Sequence, residues 1–187
     1  TAQIFSRGVT QSADVFAPVV GEPLPPSGFF NTDIPTVDYS NAIDQAAAVF
    51  FAVPDNWDGA SDGYLRIQYA MAGAAGGNVQ VRTSGNIANV VSGTTTALGD
   101  ADAVFATTAD TNPHRTAVVR TIPGTSLTKG SVIEVAIKRM NAVGSNNPSA
   151  FQVIAATLTL GITPVAGFSS QTFNILLSTP LSDAQIV

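Results

Sequence analysis

The chain has 187 residues, of which only 11% are charged, with a formal net charge of -5 and two lysines, Lys129 and Lys138. That length allows one domain with a real core, and the acidic balance excludes a nucleic-acid partner, which needs clustered Lys and Arg to displace counterions. No apolar run approaches the ~18 residues of a membrane-spanning helix, so no membrane partner is expected, and the absence of cysteine excludes disulfides, thiolate catalysis and cysteine metal sites.

Charged residues make up about a quarter of average soluble proteins. A surface this neutral and this poor in lysine is what remains when much of the outside is buried against other protein.

Residues 1–45 read as an extended arm. Pro18, Pro23, Pro25 and Pro26 interrupt any regular ladder, because proline lacks the N–H that a ladder needs. The apolar Ile4, Phe5, Phe16, Phe29 and Phe30 still require a surface to lie on, which argues against a disordered linker.

The stretch AAAVFFAVPDNWDGASDGYLRIQYAM, residues 46–71, predicts two strands in a hairpin-like pair around an acidic, glycine-punctuated loop. Leu65, Ile67 and Tyr69 alternate with Arg66 and Gln68, so the second strand is half-buried. The first has Val49, Phe51 and Val53 on one face and Ala48, Phe50 and Ala52 on the other. Neither face suits water, so either an arm or a neighbouring subunit must cover it.

Further strand signals follow at GNVQVRTSG, DAVFATTAD, HRTAVVRTIPG, SVIEVAIKRM and FQVIAATLTLGI, with turns between them and no sustained 3.6-residue period. Seven or eight strands without a helix to cover a sheet must bury their apolar faces against each other. The fold class is therefore all-β, an antiparallel two-sheet sandwich of jelly-roll type with extended N- and C-terminal arms. The expected layout is an arm over 1–45, a sandwich over 46–163, and a second arm or added strand over 164–187. The second arm carries Phe168, Phe173, Leu176 and Leu177. Leu65, Ile67, Val79, Val81, Ile133, Val135, Ile137, Leu158 and Leu160 form the predicted core.

Few residues suggest chemistry. Asp55, Asp58 and Asp62 are the densest carboxylates, but they lack the spacing of an EF-hand loop and suit a turn whose side chains bond local backbone N–H groups. Paired acids for glycoside hydrolysis would have to come from Asp55, Asp58, Asp100, Asp102 or Glu134, which any sandwich carries at its loop tips. His114 is the sole histidine and has no nucleophile-elbow motif beside it. Trp57, Tyr64 and Tyr69 would make a sugar platform only if they shared one exposed face; a lone Trp in a turn suits a plug over the sandwich end. No catalytic residue, cofactor or metal is expected.

Residues 51–59 with 65–69, then 77–82 and 130–139, follow a recurring order: an aromatic-Val-Pro-Asp turn, a glycine, a strand ending near an Arg, and a late alternating strand closed by an Arg. Over residues 46–162 this resembles a jelly-roll module of tailed-phage structural proteins, most like the trimeric capsid decoration, or cement, proteins. The resemblance implies a non-enzymatic homotrimer on the capsid surface of a virion, made in the host cytoplasm and bound to the major capsid protein. Ile4, Phe5, Phe16, Phe29, Phe30, Phe168, Phe173, Leu176 and Leu177 are the expected partner contacts. The alternative is a carbohydrate- or receptor-binding module of a head or tail fibre.

Overall fold

The computed structural model describes residues 7–13, 16–30, 34–73, 75–107, 115–141 and 147–163. Among them are twelve strands: β1 (Arg7–Ala13), β2 (Ala17–Pro18), β3 (Ser27–Phe30), β4 (Ile34–Tyr39), β5 (Gln45–Ala52), β6 (Gly63–Met71), β7 (Gly77–Ala88), β8 (Thr95–Ala97), β9 (Ala101–Thr107), β10 (Arg115–Ile122), β11 (Val132–Met140) and β12 (Phe151–Ile162). A single 3-10 turn, Gly124–Ser126, lies between β10 and β11. All pairings are antiparallel, as the expected class requires.

The first sheet runs β10-β6-β12-β4-β3, and β1 occupies the half of β12 that β4 leaves open. The second runs β2-β5-β11-β7-β8, with β9 beside β8 along the same edge of β7. The alternating rows of both sheets meet between them. Leu65, Ile67, Val79, Val81, Ile133, Val135, Ile137, Leu158 and Leu160 are each 0% exposed, as the alternation predicts, while Glu134 and Lys138 stand on the outer row of β11. Each such side chain contributes roughly 1.5–3 kcal/mol by leaving water.

The hairpin expected between residues 46–53 and 63–71 does not form. β5 pairs with β2 and β11, and β6 with β10 and β12, so the loop at 53–62 crosses from one sheet to the other. Period-2 alternation is blind to this choice, since it marks the inward face of each strand and not its neighbour. Facing sheets lie about 10 Å apart, a gap that this loop spans easily.

The N-terminal stretch is extended, as its prolines dictate, and it is woven into the body. β1, β3 and β4 join the first sheet and β2 the second. Pro23 and Pro26 lie outside its strands and still accept: Pro23 O takes the Ala46 N–H at 3.2 Å and Pro26 O the Asp38 N–H at 2.9 Å. This stretch also covers part of the two-faced strand. Ala46 and Ala48 are buried beneath it, with β2 paired at Ala47 and Ala48, whereas Phe50 and Ala52 stay exposed.

Removing buried and exposed apolar side chains separates the two rows. Leu158→Ala is expected to cost ~2–5 kcal/mol, and Val118→Ala, at an outward position of β10, to stay within about 0.5 kcal/mol. Urea denaturation with an unchanged slope measures both; equal losses would mean the rows are misassigned.

Candidate functional site

At one end of the sandwich the 53–62 loop folds over the core. Trp57 is buried there as a plug, donates its indole N–H to Ser61 O at 3.2 Å, and bridges Ile162. The Asp58 carboxylate accepts the N–H groups of Ser61 at 2.8 Å and Ala60 at 2.9 Å. These bonds, that of Ser61 first, hold it below the ordinary carboxylate range. Asp62 accepts the Gly124 N–H at 2.8 Å and Ser61 Oγ the Gly161 N–H at 3.1 Å. Ser61 Oγ and Asp58 Oδ2 stand where a Cβ on Gly161 would lie, so only glycine allows this approach. Two carboxylates of the acidic loop are thus spent on backbone donors, Asp58 within the turn as expected and Asp62 across to the segment after β10.

At the other end, the inward row of β11 continues past Ile137 to Arg139, which is 0% exposed. Its guanidinium donates to Tyr39 O at 3.1 Å, Ser149 O at 2.8 Å and Asn147 O at 2.5 Å. Asn147 carries the network on, to Ala75 O at 2.5 Å and Thr107 Oγ1 at 2.6 Å. Burial lowers the Arg139 pKa to about 10, so the group stays charged at neutral pH. The rings of Tyr39, Tyr69, Phe105 and Phe151 pack nearby, with centroids 5.0–6.2 Å apart.

The two long sides are also stitched. A register shift between Val118 and Arg120 lets β10 turn both Val119 and Arg120 inward. From there Arg120 reaches the second sheet, donating to Thr83 O at 2.9 Å, Gly99 O at 3.0 Å and Leu98 O. On the opposite side the Gln11 amide pairs with the Ala52 backbone as a peptide would, donating to its O at 2.5 Å and accepting its N–H at 3.1 Å.

The outer face of the second sheet divides in two. Asp102, Arg82 and Lys138 lie on one rung, at paired positions of β9, β7 and β11. Arg82 holds Asp102 by two bonds of 2.7 and 2.8 Å, and Lys138 holds Glu22 at 2.6 Å with Asp44 at 3.6 Å. The hydrogen bond to Glu22 is the largest of the effects that raise the Lys138 pKa. Elsewhere this face carries Glu134 and open apolar side chains: Phe50 is 50% exposed, Val104 57% and Val132 37%.

Phe16 is partly buried and packs against the core of its own chain. Phe29 and Phe30 pair by backbone with Pro35 and Ile34 in the β3–β4 ladder. Ile4, Phe5, His114, Phe168, Phe173, Leu176 and Leu177 lie outside the described residues. The three rings weighed for a sugar platform do not share a face. Trp57 and Tyr69 are buried, and Tyr64 alone is exposed, 5.6 Å from the Arg66 guanidinium, whose Nη1 donates to Thr159 Oγ1 at 3.1 Å. Sequence reasoning singled out neither buried arginine.

Two substitutions test these roles. Arg139→Lys keeps the charge but not the fork, and is expected to cost ~1–3 kcal/mol through carbonyls left unsatisfied, whereas Arg82→Lys on the surface should leave the urea midpoint nearly unchanged. Asp58, with its folded pKa depressed, contributes stability above its unfolded value of about 4 that is lost as pH falls through the folded pKa. Asp58→Asn should therefore flatten the fall in urea midpoint between roughly pH 5 and pH 2, and an unchanged slope would place that proton uptake elsewhere.

No family model matches the chain, and no curated protein matches it. Among solved structures, the CBM36-1 domain of a multidomain xylanase from the hindgut metagenome of Trinervitermes trinervoides is similar at 7% identity, over 84% of this chain and 99% of that one, with a TM-score of 0.43. A likeness of that size carries no argument about what this chain binds.

Proposed function

We propose that the chain is a non-enzymatic structural protein of a virion that decorates and stabilises a capsid as a homotrimer, contacting the major capsid protein through its terminal segments. The observation that carries this reading is where the chain ends leave the body. Arg7 pairs with Ile162, so residues 1–6 and 164–187 depart from the same end of the sandwich. Those two segments hold Ile4, Phe5, Phe168, Phe173, Leu176 and Leu177. Attachment to a lattice from one side is compatible with such an arrangement.

Surface chemistry supports the same reading. Lys138 and Arg82 are already paired within the chain, and the sparsely charged outside carries open apolar side chains, as at protein interfaces. Linking three copies multiplies the affinity of each contact by roughly 10² to 10⁴. The rival reading, a glycan-binding module, rests on Tyr64, the exposed member of the three rings weighed for a sugar platform.

Light scattering on the purified protein is expected to give about three times the 19.2 kDa of one chain. On undecorated capsids of its virus, binding should be saturable, and Phe168→Ser, Phe173→Ser, Leu176→Ser and Leu177→Ser together should weaken it by more than about tenfold, or ~1.4 kcal/mol. Co-sedimentation unchanged by these substitutions would move the binding surface onto the sandwich, and a glycan-array signal abolished by Tyr64→Ala would replace this reading with its rival.

A further inference from the structure

At the end where β5 stops and β11 starts, the outer face of the second sheet carries apolar side chains. Phe50 and Val132 are diagonal neighbours in the β5–β11 pairing, where Phe50 opposes Glu134 and Val132 opposes Ala52. Ala52 and Ala88 flank them, and Val90 and Val91 follow in the turn just past Ala88, the latter 92% exposed.

The last described residues arrive at this end of the sandwich, and they point toward that corner. The Asp58 N–H donates to Gly161 O at 3.2 Å, Ile162 bridges Trp57 in antiparallel sense, and the Thr163 N–H donates to Asn56 O at 2.8 Å. Each step forward from Gly161 to Thr163 is thus a step back from Asp58 to Asn56, toward Val53 and β5. Residues 164–187 come next, with Phe168, Phe173, Ile175, Leu176 and Leu177 and a single charge, Asp183. At about 3.3 Å per residue they reach far beyond Phe50, only six positions from Asn56.

We propose that residues 164–187 fold back on their own body and cover the corner formed by Phe50 and Val132. The composition fits: an apolar, nearly uncharged segment meets a corner whose exposed side chains are apolar except for Glu134, away from the charged Asp102–Arg82–Lys138 rung. This concerns the free chain and goes beyond the capsid reading, since it holds or fails whatever the chain binds.

Photo-crosslinking in the full chain tests the seat directly. With Phe50→p-benzoylphenylalanine, irradiation should give a product of monomer mass whose linked peptide maps to residues 164–187. A link to another segment, a product of dimer mass, or no link would overturn the proposal. An independent measurement uses Phe173→Ser, Leu176→Ser and Leu177→Ser together, again in the full chain. Hydroxyl-radical modification of Phe50 should rise severalfold relative to that of the partly buried Phe105, with the circular dichroism unchanged. Equal modification of Phe50 with and without the substitutions would also overturn it. Neither readout involves a capsid, so failure here and failure of the capsid reading are separate results.

Discussion

The sandwich depends on two buried guanidinium groups whose hydrogen-bond partners include backbone carbonyls at the ends and turns of strands. Strand ends leave carbonyls that no ladder satisfies, and a buried carbonyl without a donor costs free energy. Arginine brings five N–H donors in a rigid fork, enough to satisfy several such groups at once. Arg139 does this for Tyr39, Ser149 and Asn147, drawing β4 and the 147–149 turn onto the end of β11. Arg120 does it for Thr83, Leu98 and Gly99, joining the edge of one sheet to the other. The exchange is mutual, since the carbonyls replace the water that each cation loses. Desolvation still lowers both pKa values.

Much of this fold is legible in the sequence, and the parts that are not share a physical reason. Alternation in SVIEVAIKRM places Ile133, Val135 and Ile137 inside, and the same period carried two residues further places Arg139 there as well. Reading that row as apolar stops one residue short of the buried cation. Arg120 left no such trace, because the bulge at 118–120 breaks the period where it matters. The partner of each strand was equally hidden: β5 and β6 look like a hairpin in sequence and belong to opposite sheets. Side-chain period reports which face is inward; pairing is decided by loop length and by what the loop must cover, here Trp57 over the open end.

The N-terminal stretch shows how composition can point to the right requirement and leave the supplier open. Both faces of residues 47–53 are apolar, which demands cover, and part of that cover comes from the same chain through β2 and the turn after it. Gln11 completes the edge at Ala52 by imitating a peptide with its side-chain amide. An edge strand capped in this way offers fewer unpaired backbone groups to another sheet, so edge-to-edge association is blunted. What remains for contact is side-chain surface.

The placement of charge bears on what that surface can do. Arg82 and Lys138 face carboxylates of their own chain, and Asp58 and Asp62 face their own backbone. Ionic groups already paired contribute little to steering or holding a partner, because a partner would have to displace contacts of equal strength. Apolar side chains such as Phe50, Val104 and Val132 have no such prior commitment within the described body, and covering them gains free energy in proportion to area. On this body, burial of such side chains therefore offers more free energy than its already paired charges do.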